Sequence, residues 1–380
     1  MLPWIDALRG LAILMVLANH VALQVPGLSA PVRALASFGQ MGVQLFFVAS
    51  AYTLCLSWQQ RRAGEGRPLL AFLLRRVFRI APLYWFAIAL FAGLHFLNVD
   101  ADSGGTDSPY TAANVWANLG FVHGLLPAAQ NSVVPGGWSI GVEMFFYLLF
   151  PLLLRAAQSV RASVLLASLA LALNLLWQTS MGGVANNSAA YFHPLNQMPV
   201  FLLGMALFRW QQEARRTARL TARLTAQPPA LLFVSAIAAA LLALLATAFL
   251  WRSGWALAFA LVPVSAGLGF AALAQAASLE SRFPAALLAF GRASYPVYII
   301  HILFAWHGLH ALQQHLPLSG DLGFAFALLA VSALSYAAAR CLARCIERPG
   351  IAAGAWLIRH LSGPAAASST PALVASKGSK

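Results

Sequence analysis

The sequence predicts an all-α, polytopic integral membrane protein, and three observations carry that prediction. Of the 380 residues, 60% are hydrophobic and only 9% are charged, against roughly 25% charged in an ordinary soluble domain. Apolar runs near 20 residues recur along the chain, the length a helix needs to cross ~30 Å of hydrocarbon. The basic residues gather in alternate loops instead of spreading evenly. A soluble enzyme is excluded, and so is a disulfide scaffold, because Cys55, Cys341 and Cys345 all lie in or beside apolar runs. A net charge of +14 would suit a nucleic-acid partner in a soluble chain, but here the placement of the charge explains it better.

About ten transmembrane helices are expected, near 5–25, 39–58, 80–97, 138–155, 163–179, 197–211, 229–250, 255–277, 295–312 and 322–345. When alternate loops are assigned to opposite sides, 21 of the 24 Lys and Arg residues fall on one side. The other side receives only Arg33 and Arg252, together with Asp100, Asp102, Asp107 and Asp321. The positive-inside rule then puts both termini in the cytoplasm. The first run contains Asp6 and Arg9, which argues against a cleavable signal peptide. In the outer loop 98–137 a short helix is expected from Asn114 to Leu125. The stretch 209–228, beginning RWQQEARRTARLTARL, reads as a basic amphipathic helix beneath the inner leaflet, attracted to anionic lipid. From Ser362 the tail has the composition of a disordered segment. The chain thus divides into a transmembrane domain, 1–350, and a cytoplasmic C-terminal segment, 351–380.

Polar residues inside the spans mark the candidate site. An arginine at a helix centre costs roughly 2.5–3.5 kcal/mol on insertion scales, yet IDALRGLAILMVLANH carries Arg9 near one end and His20 near the other. Eleven residues make three turns plus about 20°, so both project from one face, about 16 Å apart along the axis. Snorkelling accounts equally well for Arg9 alone, but His20 cannot snorkel as far. Glu143, in GGWSIGVEMFFYLLFP, lies about 8 Å below the outer surface if its helix starts there at Trp138. That depth matches His20, and a carboxylate beside an imidazole suits a general base. In LLRRVFRIAPLYW, Arg75, Arg76 and Arg79 sit at helical spacing, and guanidinium forks match phosphate geometry. Plain positive-inside dressing accounts for them too. His301, in the cytoplasmic half of the ninth span, and Tyr295 complete the expected donor-binding set, while Tyr298 reads as an interfacial aromatic. His123 and His193 fall in outer loops where they could face an external substrate, and His307 and His310 read as interfacial. No metal motif is present.

Taken in order, the motifs resemble the membrane-bound acyltransferase family 3, multi-spanning enzymes that acylate sugars of bacterial envelopes. DALRGLAILMVLANH matches the family's first-helix pattern of a basic residue, ten others and a histidine. GQMGVQLFFVASAYTL is similar to its second-helix pattern, with Ser50-Ala51 where Ser-Gly is usual. RRVFRIAPLYW, WSIGVEMFFYLLFP, FLLGMALF, SYPVYIIH and the IERP beginning at Ile346 follow in sequence. The resemblance implies transfer of an acyl group, commonly acetyl, from cytoplasmic acyl-CoA to a hydroxyl of an extracytoplasmic carbohydrate or glycolipid. It implies that His20 is the essential catalytic histidine, Arg9 its motif partner, and Arg76 with Arg79 the donor end. Acyl-CoA is then a donor substrate, and no permanently bound cofactor is expected. The expected partners are donor, acceptor and membrane lipid, with no nucleic acid, and the location is the bacterial plasma membrane. Some relatives carry an additional periplasmic domain, which is not expected here, since the chain ends soon after the tenth span. A proton-coupled transporter of a lipid or glycan precursor, using Arg9, His20 and Glu143 as a relay, is the alternative. A phosphate clamp of arginines would have no purpose in such a transporter.

Overall fold

A computed structural model describes residues 2–97, 108–220 and 229–362. The expectations for Asp100, Asp102 and Asp107, for the end of the basic segment at 221–228, and for the tail beyond Ser362 lie outside the described residues. Among those described there is no strand, and the fold is all-α and polytopic. In chain order the helices are α1 (Pro3–Ala22), α2 (Ala30–Phe38), α3 (Gly42–Arg61), α4 (Pro68–Phe96), α5 (Ala112–Leu119) and α6 (Trp138–Ala156). They continue with α7 (Val160–Ser180), α8 (Ala189–Phe192), α9 (Pro194–Leu220), α10 (Pro229–Arg252) and α11 (Ala258–Ala277). The last are α12 (Ala285–Arg292), α13 (Ser294–Ile302), α14 (Leu309–Gln313), α15 (Gly320–Leu342) and α16 (Arg348–Ser362).

Each of the ten expected spans coincides with a helix, but eight unbroken segments among the described residues are long and apolar enough to cross a bilayer. The ninth expected span is a broken one. Ala285–Arg292 meets Ser294–Gln313 at 76°, and a π-helical stretch, Leu303–Gly308, joins α13 to α14. The segment 197–211 lies inside α9, which is not among the eight, because that helix also carries Asn196, Gln197 and Gln211, all buried. These amides bond to one another's neighbours across α3, α7 and α11, as in Gln44 to Gln197 (3.0 Å) and Asn174 to Asn196 (2.9 Å).

Two helices run past the limits expected from sequence, and a third covers the expected domain boundary. α4 begins at Pro68, so the arginine motif is the first part of a 29-residue helix and not a loop before it. α9 runs unbroken to Leu220, so the basic segment as far as Leu220 extends a buried helix and does not form a separate surface helix. Residues 351–362, placed by sequence in a separate segment, belong to α16, which packs on α4. Gly350 and Gly354 make that contact, with Pro82 and Phe78 in the space a side chain would need.

α1 is the hub. It packs against α2, α3, α11, α12, α13 and α15, and its Ile5, Ala12, Ile13, Leu17 and Val21 are almost completely enclosed. Lipid offers helices no hydrophobic reason to associate, so close approach through small residues and dispersion must hold them. At Gly39 and Gly42 on one side, a methyl group would collide with the carbonyls of Met15 and Ala12. On the other side, Gly291 of α12 lies against the Asp6 carbonyl, and Arg292 pairs with the Asp6 carboxylate at 3.5 Å. The Ser50-Ala51 pair keeps α3 close to α9 without a glycine of its own, because Gly204 across the contact supplies the room.

The connection between α4 and α6 folds inward. Thr111 caps α5 by accepting from the Asn114 amide (3.2 Å), and the chain after α5 turns back into the bundle. His123, Gln130, Val133 and Val134 are at most 2% exposed. α6 therefore starts beneath a protein cap.

Substituting Gly291 by valine should drive the new side chain into the Asp6 backbone and cost at least the ~1–3 kcal/mol of an overpacked core. Gly64→Ala, at a site with nothing within 4 Å, should change stability by less than about 0.5 kcal/mol. Thermal unfolding in detergent reads the difference, and equal midpoints would show that the α1–α12 contact does not need the glycine.

Candidate active site

α1 presents Arg9 and His20 to two different environments. Arg9 faces a cleft of about 620 Å³ enclosed by α1, α3, α4, α6 and α13. Arg76 and Arg79 enter it from α4, Glu143 and Tyr147 from α6, Ser50 from α3, and Tyr295 and Tyr298 from α13. One carboxylate thus stands among three guanidiniums. Among the described residues the ion pairs are Arg75–Glu65 at 2.5 Å and Arg292–Asp6 at 3.5 Å, so Glu143 makes no contact ion pair. Its Oε1 instead accepts from the Ser50 hydroxyl (2.6 Å) and the Tyr147 hydroxyl (2.5 Å). Arg76 rests 5.9 Å from the ring centres of both Phe72 and Tyr147, a cation–π geometry that holds a cation without neutralising it. Tyr295 donates to the Ile80 carbonyl at 2.6 Å, tying α13 to α4 beside Arg79. The cleft is left with unneutralised positive charge, which suits an anionic guest.

His20 projects near the other end of α1. Its ring centre lies 5.1 Å from that of His301 and 6.1 Å from that of Trp306. His301 Nδ1 is 2.6 Å from the Tyr298 carbonyl. A carbonyl only accepts, so the proton is on Nδ1 and the lone pair on Nε2. That Nε2 and the Nδ1 of His20 are buried with no hydrogen-bond partner. Both nitrogens are therefore available to a hydrogen-bonding guest. The π-helical turn beginning at Leu303 follows directly, and such turns recur at functional sites. Tyr298 joins the two environments. It lines the cleft, its ring centre is 5.5 Å from that of His301, and its hydroxyl lies 2.7 Å from Ser139 Oγ while donating to the Gly136 carbonyl (2.9 Å).

Of the residues singled out by sequence, Arg9, Arg76, Arg79, Glu143 and Tyr295 come together in the cleft, and His20 meets His301. Glu143 and His20 are not brought together. Trp138, the reference point for the expected depth of Glu143, is only 7% exposed beneath the inward-folded connection. Arg75 also stands apart, held by Glu65 through two bonds of 2.5 and 3.1 Å. One position from Arg76 is a 100° turn, enough to change which side of α4 a side chain leaves. Sequence reading missed Ser50, Ser139, Tyr147 and Trp306 and took Tyr298 for an interfacial aromatic. Tyr147 was within reach, since it lies four residues after Glu143 on one helix face. Ser50 had no signal, because its partner is on another helix.

His123 and His193, the histidines expected in outer loops, are both held by contacts within the protein. His123 is fully enclosed, and its Nε2–H faces the Gly137 carbonyl (3.0 Å) and the Tyr84 hydroxyl (3.2 Å). Burial pushes its pKa below the ordinary histidine value. His193 accepts from the Leu195 amide (3.2 Å) at the start of α9 and lies against Trp177.

A family model described as an acyltransferase domain matches residues 2–340, nearly the whole chain. No curated protein and no solved structure matches it.

Replacing Glu143 with alanine should strand the Ser50 and Tyr147 hydroxyls and destabilise the protein by about 1–3 kcal/mol. His20→Ala removes no hydrogen bond present here and should unfold close to wild type. Differential scanning fluorimetry of both variants in detergent checks this, and the opposite ranking would overturn the account of Glu143.

Proposed function

The chain belongs to the acyltransferase family 3, and from that premise we propose that it carries an acyl group from cytoplasmic acyl-CoA to a hydroxyl of an extracytoplasmic glycan or glycolipid. The acyl group is acetyl, and the membrane is the bacterial plasma membrane. One observation carries this reading. A single helix, α1, presents a cation to a positively charged cleft and, 11 positions on, an imidazole to a second imidazole with a free nitrogen. That arrangement suits an anionic, extended donor better than it suits a compact substrate.

In this mechanism Arg76 and Arg79 hold the phosphate-bearing side of the donor, with Arg9 further along the arm. Glu143 does not touch the donor. It positions Tyr147 and Ser50 and limits the repulsion among three guanidiniums. The pantetheine arm extends along α1 and brings its thioester toward His20. The acceptor hydroxyl gives its proton to His20, its oxygen bonds to the thioester carbonyl carbon, and the carbon–sulfur bond breaks. The thiolate then takes up the proton from the imidazolium and leaves as the free thiol. His301, whose Nδ1–H is committed to the Tyr298 carbonyl, keeps Nε2 as an acceptor that orients either His20 or the acceptor hydroxyl. Transient acylation of His20 followed by transfer to the acceptor uses the same geometry.

His20→Ala should abolish the acyl increment on envelope glycans, read by mass spectrometry of cells with and without the gene. Retention of that increment would end the assignment. His301→Ala should lower turnover about 10²–10⁴-fold, the usual range for a lost acid–base group. Alanine at Arg76 and Arg79 together should mainly raise the donor KM, and an unchanged value would reduce both to determinants of topology.

A further inference from the structure

A second and larger cleft, of about 1300 Å³, opens where the last turns of α3 and α6 meet the later part of α9. Arg62, Arg155, Arg209 and Arg216 line it, together with Trp58 and Gln212, and no acidic residue does. None of the four arginines forms an ion pair among the described residues. Arg209 is held in place. Its Nε donates to the Ala157 carbonyl at 2.8 Å, and its guanidinium lies 5.8 Å from the Phe208 ring centre. The other three side chains are exposed at the rim and free to converge.

Four guanidiniums around one concavity repel each other unless an anion lies between them. Positive-inside dressing accounts for arginines on a surface, but it requires neither a cavity nor an aromatic wall. Here the wall is specific. Trp58 lines this cleft and meets Phe72 and Phe150 edge-on at 5.8 and 6.5 Å, Phe72 stacks on Phe150 at 5.1 Å, and Arg76 of the smaller cleft lies 5.9 Å from the Phe72 ring centre. One aromatic layer therefore separates the larger basic cleft from the cleft that holds Arg9, Arg76 and Arg79.

We propose that this larger cleft binds the adenosine end of the donor, with guanidiniums on the ribose 3′-phosphate and Trp58 against the base, while the diphosphate stays with Arg76 and Arg79. The inference rests on the acyl-CoA reading above and adds a place for the adenosine end of the donor. Arginine forks suit phosphate oxygens, and indole faces suit purines.

The test compares two donors in the full-length, detergent-solubilised protein. The double variant Arg62→Gln/Arg216→Gln alters exposed side chains and should fold. It should raise the KM for acetyl-CoA about tenfold, the scale of a lost charge-assisted contact, with no matching rise for S-acetylpantetheine, which lacks the nucleotide. Equal rises for both donors, or for neither, overturn the proposal. Calorimetric titration with adenosine 3′,5′-bisphosphate gives a readout that needs no acceptor. Binding by wild type and its loss in the variant support the site, whereas no binding by wild type, or equal binding by both, overturns it. Intact nucleotide binding with loss of copurifying phosphatidylglycerol reassigns the cleft to a lipid headgroup and also overturns it. A wild type that binds the nucleotide through these arginines but transfers from neither donor ends the acyl-CoA reading and leaves the nucleotide site standing.

Discussion

A guanidinium within a membrane-spanning bundle is tolerated only where other helices shield it from hydrocarbon, and the arrangement around α1 follows from that constraint. Arg9 can be accommodated because α1 is surrounded by helices, and it is surrounded because Gly39, Gly42 and Gly291 let backbones approach where side chains would not fit. In water the hydrophobic effect would gather the helices with looser packing. In lipid, close van der Waals contact has to do that work, so the glycines serve the polar site even though none of them touches it.

The site is two environments on one rod. Toward one end of α1, three guanidiniums share a cleft with one carboxylate that is committed to hydroxyls and pairs with none of them. Toward the other, two imidazoles meet with a nitrogen each left unpaired. Leaving a buried polar atom without a partner costs roughly 1–3 kcal/mol. Tyr298 bridges the two environments, lining the cleft with its ring centre 5.5 Å from that of His301.

The inward-folded connection before α6 buries the start of that helix. His123 has the look of a substrate-facing residue in sequence, yet it is the buried fastening of that connection, shared between the Gly137 carbonyl and the Tyr84 hydroxyl. Because this cap lies over Trp138, Glu143 sits among the arginines of α4 and not beside His20.

The sequence alone determined what depends on local pattern. Hydropathy marked where helices lie, loop charge supplied an expected orientation, and periodicity placed Arg9 and His20 on one face of α1 and Arg76 with Arg79 on one face of α4. Helix geometry is set by hydrogen bonds within a few residues of the chain, so such statements survive folding. Only the tertiary structure decided which faces meet. Ser50 with Glu143, His20 with His301, and Arg75 with Glu65 depend on the depth and rotation of each helix against its neighbours. Those are set by side-chain volumes and glycine gaps distributed over six packing partners of α1, information that no single stretch of sequence contains.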